Sequence, residues 1–218
     1  MSIEHRASVE HRASAALDMV YAATTPAEIA AAYAAWAATY DQETAAIGYL
    51  LPFLIASWVA RYVPAGDGPL LDAGCGTGLS GPCLKALGYG RVDGLDISDD
   101  MLKIAASRGA YAELKQGTLG ERLPWPDNHF RAFFSTGVFT MGHAPASGLN
   151  DLVRVTAPGG HAIFTVREGV FDKGGFQAVF DALTADGKWR VVEESPWFRC
   201  YAIAEPEAVV KAFVFEIL

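Results

Sequence analysis

Residues 70–78 read Leu70-Leu71-Asp72-Ala73-Gly74-Cys75-Gly76-Thr77-Gly78, and Leu79-Ser80-Gly81-Pro82 follow. Two apolar residues run into an acid, three glycines stand at alternate positions, and Pro82 suits the first turn of a helix. A strand feeding a glycine turn and then a helix N-terminus makes a ligand cradle. Glycine takes positive φ and lets a ligand approach the main chain. The helix start offers free N–H groups. A nucleotide-like cofactor is expected here. Two registers compete: Gly76, Gly78 and Gly81 fit G-x-G-x-x-G, a dinucleotide pattern, whereas Gly74, Gly76 and Gly78 fit G-x-G-x-G after an acid.

Downstream, strands and helices alternate. Strand one is 69–73, and the helix over 80–87 ends at Gly88, a good C′ residue. Strand two, 91–95, ends on Asp96. Ser98 caps the next helix, with Asp99 and Asp100 in its first turn. Strand three lies near 112–116 and strand four at 130–135. A helix over 146–155 stops at Pro158-Gly159-Gly160, and strand five is 161–166. A helix (175–185) and two strands (189–194, 209–217) complete the pattern. The apolar strands and crossover helices predict a parallel sheet covered on both faces.

Upstream, Thr25 caps an alanine-rich helix over 26–40, with Pro26 at its first position and Glu28 near its positive end. Ile29, Tyr33, Trp36 and Tyr40 recur on one face. A second helix spans 52–62, and Pro64 to Pro69 makes a turn. The chain opens on a near repeat, Glu4-His5-Arg6-Ala7-Ser8-Val9 then Glu10-His11-Arg12-Ala13-Ser14-Ala15. Its period of six puts His5 and His11 on opposite sides of a helix, which argues against a paired metal site. The expectation is a flexible leader over 1–20. One domain would then span 21–218, with a helical lid (21–66) and a sheet core (67–218).

The 218 residues suit one α/β domain. There is no apolar run of membrane-spanning length and no apolar signal region, so a cytoplasmic protein is expected, without membrane contact. Net charge is −8 and the basic residues are scattered, which argues against a nucleic-acid partner. Cys75, Cys83 and Cys200 include no CxxC pair, which argues against zinc or a disulfide framework. Nothing in the pattern selects an oligomeric state.

Ligands of an open parallel sheet bind beyond the carboxyl ends of its strands. Those ends carry the glycine loop, Asp96, Gly117-Thr118 and Ser135-Thr136-Gly137. Asp96 stands twenty-two residues after Gly74, where a carboxylate can take two hydrogen bonds from a ribose diol. Asp72 bears on the register, because a carboxylate beside the loop repels a diphosphate and suits a ligand with an ammonium group. S-adenosylmethionine carries an ammonium, a carboxylate and a sulfonium, and no phosphate.

LLDAGCGTG resembles motif I of the class I S-adenosylmethionine-dependent methyltransferases. DGLDISDDMLKIA, LPWPDNHFRAFFSTGVF and VRVTAPGGHAIFTV resemble their later motifs in order and spacing, over about residues 28–166. Tyr40-Asp41 with Gly48-Tyr49, the run Gly137-Val138-Phe139-Thr140-Met141-Gly142-His143, and Thr165-Val166-Arg167-Glu168 resemble the small Williams–Beuren-region methyltransferase-like group. The resemblance implies a Rossmann-like, mostly parallel seven-stranded sheet with helices on both faces, an antiparallel last strand and an N-terminal helical lid.

It also implies roles. Gly74, Gly76 and Gly78, with Cys75 as a small packing residue, would admit the amino-acid end of S-adenosylmethionine. Asp72 would act on its ammonium, Asp96 on its ribose, and Ile97 and Met101 on its adenine. Relatives often place an acid where Thr118-Leu119 stand, so adenine recognition would rest on Thr118 or backbone. Ser135 would lie beside the cofactor and Tyr40 would cover it. Tyr33, Trp36, Phe139, Arg167 and Trp197 would face a small-molecule acceptor, and His143 is the candidate base. His161 is expected to be structural. The implied activity is in-line methyl transfer leaving S-adenosylhomocysteine. Two alternatives stand beside it, an NAD(P)-binding oxidoreductase on the other glycine register and a non-catalytic S-adenosylmethionine-binding regulator.

Overall fold

The fold is described from a computed structural model, which covers residues 3–140 and 142–218, with side chains from residue 8 onward. The relation of His5 to His11 and the place of Met141 lie outside the described residues. Three helices lead: α1 (Ile3–Ala22), α2 (Pro26–Ala46) and α3 (Leu51–Tyr62). The sheet region then runs β1 (Leu70–Ala73), α4 (Gly81–Ala86), β2 (Val92–Asp96), α5 (Asp99–Ser107) and β3 (Glu113–Gln116). It continues through β4 (Phe130–Phe139), α6 (Gly148–Val155), β5 (Thr156–Arg167), α7 (Glu168–Lys173) and α8 (Phe176–Ala185). The last strands are β6 (Trp189–Glu194), β7 (Phe198–Arg199) and β8 (Val209–Ile217).

The sheet order is β3-β2-β1-β4-β5-β8-β6, with the two-residue β7 also paired to β8. The first five strands are mutually parallel. β8 runs antiparallel to both β5 and β6. Seven strands form the path, as expected, and β7 and α7 are additions. The Pro158-Gly159-Gly160 turn lies inside β5, which begins at Thr156. Its register against β4 shifts there, between Phe130 and Ala132. Among the described residues, no helix is long and apolar enough to cross a membrane.

One core lies between the sheet and α6 and α8, rich in aromatics such as Phe133, Phe164, Trp189 and Phe215. A second lies beneath α3 and α4 on the other face. The third places α1 and α2 against β7 and β8 through Leu17, Trp36, Tyr201 and Val210. The expected flexible leader is therefore a docked helix. Val9, Ala13, Leu17 and Val20 are buried, at spacings of four, four and three that make one stripe. Buried Glu43 of α2 joins the two helices, accepting from Arg12 Nε at 3.2 Å and Trp36 Nε1 at 2.8 Å. Thr25 caps α2 in a full capping box with Glu28.

Candidate active site

β1 ends on buried Ala73, and the chain turns at once through Gly74, Gly76 and Gly78, all with positive φ (82°, 54° and 80°). Each glycine has its own reason. A Cβ on Gly74 would stand 2.2 Å from Val138 Cγ2, and one on Gly78 would stand 2.8 Å from the Tyr111 ring. A Cβ on Gly76 would meet no atom within 4 Å, because this residue faces open space. Gly81 instead opens α4, packed against Tyr111.

That open space is a cleft between the glycine loop and the leading helices, concave and largely apolar as small-molecule sites are. Gly74 and Gly76 form its floor, Ile97, Met101 and Leu119 its apolar wall, and Tyr33, Tyr40 and Tyr49 come from the leading helices. Thr118 and His143 also line it. A smaller hollow of about 330 Å³ adjoins, bounded by Asp72, Cys75 and Thr77 and sharing Tyr40, Gly74 and Gly76 with the cleft.

Asp96 sits where β2 ends. Its Oδ2 accepts from Gly76 N–H at 2.8 Å and its Oδ1 from Ser98 N–H at 2.9 Å. These bonds favour the charged form, yet burial outweighs them and pushes its pKa up. A carboxylate oxygen has room for a further donor, so a diol in the cleft would find acceptors already oriented. Asp72 Oδ2 accepts from Ser80 Oγ at 2.5 Å and Tyr111 Oη at 2.7 Å. Burial pushes Asp72 up to about 6, against those two hydroxyl bonds. A cation brought into the adjoining hollow would relieve that cost. The Cys75 thiol is driven up by burial, so it stays protonated and acts as a packing group.

Helix α2 is fastened to the glycine loop. Asp41, in the C-terminal third of α2, accepts from Thr77 Oγ1 at 2.6 Å and pairs with the Arg108 guanidinium. Arg108 Nε also donates to the Thr77 carbonyl at 2.5 Å. At the other end of the cleft, His143 Nε2 lies 2.9 Å from Tyr33 Oη, and Nδ1 lies 2.8 Å from Thr140 Oγ1.

Of the residues the sequence singles out, Gly74, Gly76, Asp96, Ile97, Met101, Thr118, Leu119, Tyr33, Tyr40 and His143 meet at the cleft, with Asp72 and Cys75 at the hollow. Six line neither. Gly78 is turned to the Tyr111 ring and Ala105. Ser135 is fully buried and donates to the Ala73 carbonyl at 2.6 Å, tying β4 to β1. Trp36 turns its indole N–H to Glu43. Phe139 is core, packed edge-on to Phe164 and Phe176. Arg167 stacks over the Tyr21 ring, 4.7 Å from its centroid. Trp197 lies under Lys211 and beside Phe171. His161, on β5, is half-buried against the Tyr62 ring, and burial lowers its pKa.

Thr136 and Gly137, which the sequence places at the end of strand four, line the cleft, and so does Tyr49, to which the sequence assigns no role. A register shift between Ser135 and Phe139 swings 136–138 out of the ladder and toward the cleft. The Tyr49 hydroxyl lies where a Cβ on Gly137 would be, 2.3 Å away. Gly137, with φ 68°, was the available signal.

A family model described as "Methyltransferase domain" matches residues 71–164. The chain is 35% identical over 166 residues to methyltransferase-like protein 27 of Homo sapiens, covering 72% of this chain and 66% of that protein. It is 38% identical over 96 residues to the malonyl-[acyl-carrier protein] O-methyltransferase of Serratia marcescens, covering 44% of this chain and 37% of that one. The chain thus spans 66% and 37% of the lengths of these two relatives. In fold it is similar to magnesium protoporphyrin IX methyltransferase of Synechocystis PCC 6803, solved with bound S-adenosylmethionine, at a TM-score of 0.61. That likeness has 15% identity and covers 81% of this chain and 83% of the other.

Proposed function

We propose that the chain is a class I S-adenosylmethionine-dependent methyltransferase and that it methylates a small-molecule acceptor in the cleft beneath α2. The observation that carries this reading is the joined pair of spaces on either side of Gly76. The hollow holds an acid at the Asp72 end, and the cleft holds a second carboxylate, Asp96, oriented by backbone amides.

The residues fit S-adenosylmethionine. Asp72 and the glycine backbone would hold its amino-acid end, Asp96 its ribose, and Ile97, Met101, Thr118 and Leu119 its adenine. When bound, the cofactor supplies a methyl group on a sulfonium, and S-adenosylhomocysteine leaves with the electron pair of the broken bond. The protein contributes positioning and exclusion of water. Tyr33, Tyr40 and Tyr49 close the cleft from the lid side, and the Asp41 clasp keeps α2 down on the loop. We take α1–α3 as a lid on a single domain. His143 stands where an acceptor that arrives protonated could lose its proton. Three free thiols suit a reducing cytoplasm.

Two measurements test the reading. Calorimetry with S-adenosylmethionine, S-adenosylhomocysteine and NAD should show binding of the first two only. NAD binding without S-adenosyl binding would overturn it in favour of an oxidoreductase. Formation of S-adenosylhomocysteine should then be assayed over small hydroxy, carboxy and amino acceptors, with an RNA fraction alongside. Binding without turnover would mark a regulator, and turnover on RNA alone would replace the small-molecule acceptor.

A further inference from the structure

The Tyr33–His143–Thr140 chain crosses from the lid helix α2 to the loop after β4, and it assigns distinct roles to its members. Tyr33 Oη is 2.9 Å from Nε2 and Thr140 Oγ1 is 2.8 Å from Nδ1, so both ring nitrogens are engaged. Either ring nitrogen can carry the proton, and the two tautomers reverse both bonds. Burial holds the Tyr33 phenol protonated, with Tyr40 and Asp96 adding to the effect. With the ring proton on Nδ1, the Tyr33 O–H donates to Nε2 and Nδ1–H donates to Thr140. In this tautomer the basic lone pair of His143 already points at Tyr33. The atom left with lone pairs facing the cleft is Tyr33 Oη, and both Tyr33 and His143 line that cleft.

We propose that Tyr33 is the catalytic residue that touches the acceptor, and that His143 acts only through it, held in tautomer by Thr140. As the acceptor atom gains its methyl group, its bond to hydrogen breaks and the proton passes to Tyr33 Oη. The proton originally on Tyr33 moves to His143 Nε2. The ring becomes an imidazolium, which returns one proton to solvent after product leaves. No oxidant or metal enters. The relay deepens the methyltransferase reading and rests on it. Among the described groups, Tyr33 from α2 and Tyr21 from α1 face the ring, the Tyr21 ring meeting it edge-on at 6.4 Å. Tyr40 and Asp96 also line the cleft, and Arg167 stacks over Tyr21.

The test has a spectroscopic arm and a kinetic arm. Nitrogen-15 spectra of the histidine rings in the full-length, cofactor-free protein, assigned by loss of signals in His143→Gln, should show His143 neutral with its proton on Nδ1. Tyr33→Phe removes a bond made to the neutral ring, so the His143 titration midpoint should rise. A proton on Nε2, or a midpoint unmoved by Tyr33→Phe, would overturn the relay without reference to any acceptor.

With an acceptor found in the turnover panel, kcat should rise with pH through the His143 midpoint. Tyr33→Phe and His143→Gln should each abolish that limb and lower kcat about 10²-fold or more, and the double variant should be no slower than either single. A Tyr33→Phe enzyme that keeps the pH limb would show that His143 reaches the acceptor directly. If no acceptor turns over, the methyltransferase reading fails on its own panel, while the ring spectra still decide the hydrogen-bond chain.

Discussion

At the scale of single residues, the two carboxylates make separable predictions. Asp96 is held by the Gly76 and Ser98 amides with both oxygens oriented. Asp96→Ala is expected to weaken S-adenosylmethionine binding by about 1–3 kcal/mol, read by calorimetry, and an unchanged affinity would mean the ribose is held elsewhere. Asp72 sits near pKa 6 in the free protein. An ammonium brought beside it favours the carboxylate, so binding at pH 6 should release a fraction of a proton and binding at pH 8 almost none. Calorimetry in two buffers of different ionisation enthalpy reads this directly. A buffer-independent enthalpy at pH 6, or release that persists in Asp72→Asn, would remove Asp72 from the ammonium site.

These acids were legible because strand end, turn and helix start are adjacent in sequence, so their chemistry is local. Trp36 was not. On a helical wheel it lies within the same narrow sector as Tyr33 and Tyr40, and its direction is decided by Glu43, seven residues on, whose buried carboxylate captures the indole N–H. Ser135 likewise is decided by a distant partner, the Ala73 carbonyl across the β4–β1 pair.

At the scale of elements, α2 is both lid and brace. Its Asp41 binds the Thr77 hydroxyl and the Arg108 guanidinium, joining the lid to the glycine loop and to the end of α5. Asp41 and Arg108 are both part-exposed, so their ion pair adds little to global stability. Its effect should appear in kinetics. Asp41→Ala is expected to speed cofactor dissociation about tenfold in stopped-flow measurements while lowering the melting temperature only slightly. An unchanged off-rate would mean that α2 stays closed without it. Strong periodicity made the helix itself legible. Its extension to Ala46, and the docking of α1 beneath it, depended on the Arg12–Glu43 contact between residues thirty-one apart.

At the scale of the whole molecule, the charge balance predicts how stability varies with pH. Asp72, Asp93 and Asp96 are all raised, chiefly by burial. A carboxyl raised in the folded state binds more protons folded than unfolded between its two pKa values. Stability is then greatest at low pH and falls as pH rises through that window, which for Asp72 runs from about 4 to about 6. Half-buried His161, lowered by burial, works in the opposite direction and alone cannot cancel three acids. The cofactor-free protein should therefore resist denaturant better at pH 5.5 than at pH 8.

Asp93 is the extreme case, because both its oxygens are buried without a hydrogen-bond partner and Arg91 stands 3.9 Å away. Asp93→Asn is expected to stabilise the protein at pH 8 by about 1–2 kcal/mol and to flatten the pH dependence. Destabilisation at both pH values would show that the charge is compensated. The sheet order around these acids was legible from the alternation of strands and helices. The place of β8 between β5 and β6 was set by long-range pairing.

That place has a consequence for synthesis. β6 leaves the ribosome before β8, yet its pairing in the sheet is with β8. While residues 195–208 are still being made, a strand carrying Val191 and Val192, both exposed even in the finished fold, has no ladder to join. Strands β1 to β5 can assemble during that interval, so the nascent protein holds a nearly complete cleft beside an open sheet edge. A chaperone that captures β6 would act in this window, and β8 would end it by taking the strand.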